Sequence, residues 1–184
     1  MDGRLLPQLV AQHAQECPER VYIQHVDGDA LTFGQLHHAA LRWAAAYRSA
    51  GVDPGDRVLT MMSLSLDFYC SALGLAWVLG IEVPVNIEYR GLLLLHALRS
   101  AQPQVIITQA EFVDRFEEVA NKLKSRPVLV IVGSQVAPEE SRYTAVTVER
   151  FLADGDPLTD LGAPIHGTSP RSCTPLERLG RPRA

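Results

Sequence analysis

The chain has 184 residues, of which 47% are hydrophobic and 21% are charged, and its formal net charge is −4. That length supports one ordinary domain with its own core, and this composition excludes a disordered chain or a disulfide-stapled miniprotein. The negative charge provides no basic field for a phosphate backbone, so a nucleic-acid partner is not expected.

The charge is unevenly distributed. From Gly167 to the end there are four arginines and one glutamate, a net charge of +3 that leaves −7 for the preceding residues. Cys17, Cys70 and Cys173 form no C-x-x-C pair, so no zinc site is predicted. The first residues lack a basic segment followed by an apolar one, so we expect no secretory signal and a cytoplasmic location.

The first predicted elements are a helix and a hairpin. Apolar residues recur at helical spacing from residue 5 to 16, which predicts an amphipathic helix. Val21 to His25 and Ala30 to Phe33 flank Asp27-Gly28-Asp29, a sequence typical of a tight turn between two short strands.

A helix start follows directly. Thr32 lies three residues before Gln35, which predicts a reciprocal capping box, and the helix behind it extends to Gly51. The turn Asp53-Pro54-Gly55-Asp56 then leads into a predicted strand from Arg57 to Met62.

The middle of the chain alternates helices and strands. After an apolar helix within Ser63 to Gly80 come a strand Glu82 to Asn86, a helix Gly91 to Ser100, a strand Val105 to Thr108, a helix Glu111 to Ser125 and a strand Pro127 to Val132. Such alternation predicts an α/β fold: an open doubly wound parallel sheet flanked by helices, with a small N-terminal hairpin. The first of these helices is too short and polar for a membrane span.

The pattern weakens after Gly133. Val146 to Ala153 is predicted to be a short helix, and Asp154 to Ala184 contains five prolines and no amphipathic run. We therefore predict an α/β subdomain over residues 1–153 and a disordered tail over residues 154–184.

Ligands of open α/β sheets bind at the carboxyl ends of the strands. This rule points to Met61 to Leu64, Asn86 to Gly91 and Gln109. However, the standard motifs that bind phosphates, zinc or acyl groups are missing as written. No catalytic, cofactor-binding or metal-binding residue is therefore assigned.

The individual polar residues are better explained by structural roles than by ligand binding. His37 and His38 are adjacent on a helix and cannot face one ligand together. His96, with Arg90 and Tyr89 near a strand end, could contact an anion, but a solvated helix start is the preferred interpretation. Glu117 and Glu118 are expected on the polar face of a helix.

Cys70 lies among apolar residues, which favours an inert core thiol over a nucleophile. The run Leu92 to Leu95 is unusual, because four consecutive leucines cannot share one face of a helix. At least one leucine should be exposed unless a partner covers it, although an ordinary helix buried on two sides is the commoner explanation.

Two blocks of sequence carry a family resemblance that covers residues 5–153. Ala30-Leu31-Thr32-Phe33-Gly34-Gln35-Leu36, followed by Gly51-Val52-Asp53-Pro54-Gly55-Asp56-Arg57-Val58, resembles the opening of AMP-forming acyl-CoA synthetases of the adenylate-forming superfamily. The run Glu82-Val83-Pro84-Val85-Asn86-Ile87-Glu88-Tyr89-Arg90-Gly91 is similar to the carnitine/crotonobetaine-CoA ligase branch. Leu92 and Leu95 replace polar residues of that branch.

In that family the next element is a glycine-rich loop, Y-T-S-G-T-T-G-x-x-K-G, which binds ATP phosphates. Residues 167–184 occupy its place and do not match it. With suitable synonymous codons, the same DNA read one base earlier encodes W-H-I-A-S-I-L-Y-T-S-G-T-T-G-P-S-K-G. We therefore interpret the tail as frameshifted from about residue 163–166; the alternative is a natural basic extension.

The resemblance implies a ligase that joins a carboxylate to ATP and then to coenzyme A, with Mg²⁺. The family's phosphate loop and the catalytic residues beyond it are absent from this chain, so we expect a truncated fragment that retains none of these cofactors and is inactive alone. The alternative is a non-catalytic interaction module that associates, with itself or with another chain, through apolar surface around Leu92 to Leu95.

Overall fold

A computed structural model describes residues 5–26 and 28–153. The helices are α1 (Leu6–Glu16), α2 (Phe33–Ser49), α3 (Leu66–Trp77), α4 (Gly91–Ala101), α5 (Val113–Ala120) and α6 (Val148–Ala153). The strands are β1 (Val21–Gln24), β2 (Ala30–Thr32), β3 (Arg57–Met61), β4 (Ile81–Pro84), β5 (Val105–Gln109), β6 (Val128–Val132) and β7 (Thr144–Thr147). Within the described ranges, every helix is too short or too polar to cross a membrane.

The hairpin and the helix start after it are confirmed. Strands β1 and β2 pair antiparallel as a separate two-stranded sheet, and Gly28 in their turn has a φ of +102°. The Thr32 hydroxyl accepts a hydrogen bond from the Gln35 amide at 3.2 Å, and the Gln35 side chain accepts one from the Thr32 amide at 3.0 Å. This reciprocal pair is the predicted capping box at the start of α2.

The remaining strands form one parallel sheet in the order β4-β3-β5-β6-β7. Alternate side chains of its central strands point to opposite faces, so Val58 and Leu59 belong to different core clusters. Helices α2, α3 and α6 cover the face of Val58, whereas α4 and α5 cover the face of Leu59. The predicted doubly wound α/β architecture is confirmed.

Strand β7 corrects the prediction for the end of the subdomain. Residues 144–147 form a parallel edge strand beside β6, and α6 begins only at Val148. The sequence suggested a helix from Val146, because a four-residue edge strand that is only partly buried carries little hydrophobic alternation. Its pairing with β6 decides its conformation.

Helix α5 is shorter than predicted. A 3-10 turn, Ala110–Phe112, precedes it, and the α-helix ends at Ala120 instead of Ser125. Beyond that point the amides of Lys122 and Leu123 bond to carbonyls three residues back, which is 3-10 geometry. The predicted disordered tail and the predicted frameshift point lie outside the described residues.

Candidate functional site

The sheet order places a topological switch point between β3 and β5. From β3 the chain continues into α3 on one face of the sheet, and from β5 it continues into α5 on the other. The loops therefore diverge and leave a crevice at the carboxyl ends of the two strands. In sheets of this strand order, ligands bind at such a crevice.

The structure brings the predicted positions together at this edge. The Ser63 amide donates a hydrogen bond to Gln109 Oε1 at 2.9 Å, which bridges the loop after β3 and the end of β5. The buried Thr108 hydroxyl donates to the Met61 carbonyl at 3.0 Å. Side-chain contacts between β3 and β5 thus span the mouth of the crevice.

The loop after β4 is held by its own turn and by α5. Asn86 Oδ1 accepts from the Glu88 amide, and the Asn86 carbonyl accepts from the Tyr89 amide, both at 2.9 Å. Arg115 donates to the Ile87 carbonyl, and its guanidinium lies 4.5 Å from the centroid of the Phe112 ring. Sequence reasoning missed Arg115, because a lone arginine on an amphipathic helix carries no signal of a long-range contact.

The residues with possible binding chemistry stay separate. His38 is exposed, whereas half-buried His37 faces the ring of Trp77 at a centroid distance of 5.9 Å. Burial lowers the pKa of His37, and the nearby His38 lowers it further. Arg90 is exposed at the N-cap of α4, and His96 is exposed in the middle of that helix. Within residues 5–26 and 28–153, no group of three or more His, Cys, Asp or Glu side chains could hold a metal ion.

One of the two helical glutamates differs from its expected role. Glu118 is exposed as predicted, but Glu117 is partly buried and accepts hydrogen bonds from the Ser141 hydroxyl and the Arg142 amide. These contacts fasten the segment before β7 to α5. A charge run on a polar face could not reveal this, because the partners lie more than twenty residues away in the chain.

The Cys70 thiol is a core group. It is buried, and burial raises its pKa to about 11, with a further contribution from the neighbouring Asp67 carboxylate. At neutral pH the thiolate that reacts with alkylating reagents is therefore scarce. The structure supports the interpretation of Cys70 as a packing residue.

We expect iodoacetamide at about pH 8 to leave Cys70 unmodified in the folded chain and to alkylate it after unfolding in urea. Peptide mass spectrometry of Cys70 in the folded and unfolded samples measures both. Rapid alkylation of Cys70 in the native chain at this pH would contradict the structural interpretation.

A shallow groove of about 240 Å³ lies between the hairpin and the start of α3. It is lined by Ile23, Gln24, His25, Val26, Leu64, Ser65, Leu66 and Tyr69. Two apolar side chains at its rim are exposed, Val26 at 94% and Leu64 at 65%. The sequence offered no sign of the groove, since its walls come together only when the hairpin packs near α3.

Replacement of Gln109 by alanine should free the Ser63 amide. We expect its hydrogen exchange to accelerate about fivefold, because one hydrogen bond contributes about 1 kcal/mol. Gln109→Glu retains an acceptor and serves as the control. Equal exchange rates of the Ser63 amide in the wild type and in Gln109→Ala would show that Gln109 does not protect this amide.

Comparisons with known proteins decide the family. The model of the AMP-binding enzyme family matches residues 10–170. The chain belongs to this family. The broader assignment to the adenylate-forming superfamily is thereby confirmed, whereas the carnitine/crotonobetaine-CoA ligase branch receives no specific support.

Curated members of the family include ligases of several kinds. The chain is 27% identical over 158 residues to the 3-hydroxybenzoate--CoA/4-hydroxybenzoate--CoA ligase of Thauera aromatica. The aligned region covers 85% of the chain and 28% of that ligase. It is 31% identical over 128 residues to the fatty acid--[acyl-carrier-protein] ligase ScoC of Streptomyces coeruleorubidus, covering 70% and 24%. The chain thus spans about a quarter of the length of these relatives.

Solved structures of the family share the fold. The anthranilate CoA ligase AuaEII, in complex with anthranoyl-AMP, aligns with a TM-score of 0.67 at 21% identity over 79% of this chain and 28% of that one. The long-chain-fatty-acid-CoA ligase FadD1 of Archaeoglobus fulgidus aligns with a TM-score of 0.69 at 17% identity, covering 86% and 31%. The similarity again concerns a minor part of each larger chain.

Proposed function

We propose that this chain is the first α/β subdomain of an ATP-dependent acid–thiol ligase, and that it does not catalyse the ligase reaction by itself. The observation that carries the proposal is the family match over residues 10–170, combined with a span of about a quarter of the relatives. The carboxylate substrate belongs to the acyl or aryl classes that the relatives' names describe. Assignment to the carnitine/crotonobetaine branch depends on the run Glu82 to Gly91 and stays a prediction. A cytoplasmic location likewise stays a prediction.

The residues present do not fit the family's cofactors. A phosphate loop needs several consecutive backbone amides and hydroxyls around an anion, and the 184 residues contain no glycine-rich loop of this kind. The described side chains also offer no cluster for a divalent cation. We therefore derive no reaction step through ATP, Mg²⁺ or coenzyme A on this chain.

The purified chain should form no acyl-CoA from ATP, Mg²⁺, coenzyme A and a panel of hydroxybenzoates and fatty acids. Pyrophosphate release and mass spectrometry of the thioester provide the readouts, and an intact ligase of the family serves as the positive control. ATP-dependent formation of any acyl-CoA by the chain alone would overturn the proposed inactivity.

We also propose that the tail is a shifted reading of the phosphate loop, starting at about residue 163–166. The family match ends at residue 170, and residues 167–184 lack the glycine-rich loop that the family carries, which supports the proposal. Genomic and transcript sequencing across codons 155–184 tests it. A DNA sequence that cannot encode the loop in the neighbouring frame would exclude the shift.

A second candidate function is a non-catalytic interaction module. Two of the four consecutive leucines are exposed at the start of α4, Leu92 at 78% and Leu93 at 62%, while Leu94 and Leu95 are buried in the core. The prediction that at least one would be exposed is confirmed. Contiguous exposed apolar patches mark protein–protein interaction sites, and this pair would form part of such a patch.

Light scattering after size-exclusion chromatography tests self-association. The module hypothesis expects a mass above 20.2 kDa that returns to the monomer value in the double variant Leu92→Glu, Leu93→Glu. Leu79→Glu is the matched control, because Leu79 is 57% exposed and lies away from α4, before β4. A monomeric wild-type chain would contradict self-association.

A further inference from the structure

A buried polar cluster lies beneath α3. It consists of one side chain from each of four elements: Tyr47 from α2, Ser71 from α3, Thr60 from β3 and Glu82 from β4. The hydroxyl groups of Tyr47 and Ser71 are 2.8 Å apart and share a hydrogen bond. Tyr47, Ser71 and Thr60 are almost completely buried, whereas Glu82 is partly buried.

Glu82 is the acidic member of this polar cluster. It lies opposite Val58 in the register of β3 and β4, and Val58 belongs to the core beneath α2 and α3. The Thr60 hydroxyl interacts with the carboxyl group of Glu82 and lowers its pKa, which partly offsets the larger, opposite effect of burial. Among the described residues, Oε1 of Glu82 is buried and has no hydrogen-bond partner. A charged carboxylate with an unpaired buried oxygen is costly, and protonation removes the charge.

Strand β4 is one of the two edge strands of the five-stranded sheet. It is an edge strand whose described neighbour is β3 on one side. The Ile81 amide donates to the Asp56 carbonyl at 2.7 Å, and beyond Pro84, which has no amide hydrogen, the Val85 amide donates to the Thr60 carbonyl at 2.9 Å. Short edge elements of this kind open locally at lower free energy than the centre of a sheet.

The loop after β4 makes this opening relevant to the rest of the molecule. Residues 85–90 lead directly from β4 to the exposed leucines of α4 and contain the turn around Asn86 at the carboxyl edge of the sheet. A looser β4 would release the N-terminal anchor of this loop, because Val85 is bonded to β3. The state of β4 therefore affects how firmly the start of the loop 85–90 is held.

We propose that Glu82 is a proton-operated latch: with its carboxyl group protonated, β4 is held against β3, and with the group ionised, β4 and the loop 85–90 loosen. Tyr47 is the titratable side chain that faces Glu82 from α2, while Ser71 from α3 and Thr60 from β3 do not titrate in the relevant range. Burial raises the pKa of Glu82 and also raises that of Tyr47, so the phenol stays neutral.

The direction of the pH dependence follows from this arrangement. Folding disfavours the charged carboxylate, so the folded pKa of Glu82 lies above its unfolded value. Closure of β4 is then strongest at low pH and weakens as the pH rises through the folded pKa. Each unit of raised pKa corresponds to a tenfold change in the opening equilibrium.

Native-state hydrogen exchange at Ile81 and Val85 between about pH 4 and pH 8, corrected for intrinsic exchange, tests the latch. We expect their protection to fall by roughly tenfold per unit of raised pKa in the wild type. In Glu82→Gln the protection should be high and independent of pH. Glu88→Gln, at an exposed position after β4, should retain the wild-type dependence.

The proposal would be overturned if the protection of Ile81 and Val85 in the wild type did not change with pH. The same pH dependence in Glu82→Gln would also overturn it. If Glu82→Gln fails to fold, the titration of Glu82 is measured in the wild type instead, from the NMR chemical shift of its carboxyl carbon as a function of pH. Its titration midpoint must then coincide with that of the exchange step, and two different midpoints would also overturn the proposal.

Discussion

Replacing Gly74 by alanine is expected to destabilise the chain strongly, because α2 and α3 leave no room there for a Cβ atom. A Cβ atom at position 74 would lie 2.4 Å from the Cβ of Trp43 and 2.8 Å from the Ala40 carbonyl oxygen. Neither atom belongs to a flexible side-chain end, so the helices must separate. Overpacking costs up to about 3 kcal/mol, and the better helix propensity of alanine returns about 1 kcal/mol.

The net expectation for Gly74→Ala is a loss of about 2 kcal/mol in the free energy of unfolding, measured by urea denaturation with circular dichroism. Gly34→Ala is the control, because its Cβ would meet Pro18 atoms at 3.2 Å, a contact that a small shift relieves. Its effect should stay within about 1 kcal/mol. Equal stability of wild type and Gly74→Ala would show that the two helices are farther apart in solution.

Truncation of Phe116 should have the largest effect on the opposite face of the sheet. This α5 side chain is fully buried in the cluster with Leu59, Ile106 and Leu129. Its removal leaves a cavity that the surrounding strands cannot fill, so Phe116→Ala should lower the free energy of unfolding by about 3–5 kcal/mol. Chemical denaturation of the variant and the wild type gives this difference.

The control for Phe116→Ala is Glu118→Ala on the same helix. Glu118 is exposed, so this change should alter the free energy of unfolding by no more than about 0.5 kcal/mol. Similar losses for the two variants would indicate that helix propensity, and not core packing, determines the stability of α5.

Local sequence patterns predicted much of the fold because their causes are local. The capping box of Thr32 and Gln35 involves residues three apart, and the hairpin depends on the turn at Gly28. Strand β7 and the end of α5 were predicted incorrectly. Strand β7 depends on pairing with β6, and α5 ends in 3-10 turns at Lys122 and Leu123. Neither effect produces a hydrophobic period in its own segment.

The candidate site was likewise predictable in one part and not in another. Strand ends are visible in the sequence, so Met61 to Leu64, Asn86 to Gly91 and Gln109 could be placed at one edge of a parallel sheet in advance. The hydrogen bond from Ser63 to Gln109 joins residues 46 positions apart, and Arg115 reaches Ile87 across 28 positions. Contacts at such separations depend on the order of the strands, which the sequence pattern does not specify.

By itself, the sequence determined the α/β class, the family resemblance and the mismatch between residues 167–184 and a phosphate loop. These features lie in short motifs and in helical or strand periodicity, which are properties of neighbouring residues. Only the tertiary structure decided the strand order, the exposure of Leu92 and Leu93, and the half-buried position of Glu82 near Tyr47 and Thr60. Each of these depends on which distant surfaces pack together, because solvent exposure and desolvation are properties of the assembled chain.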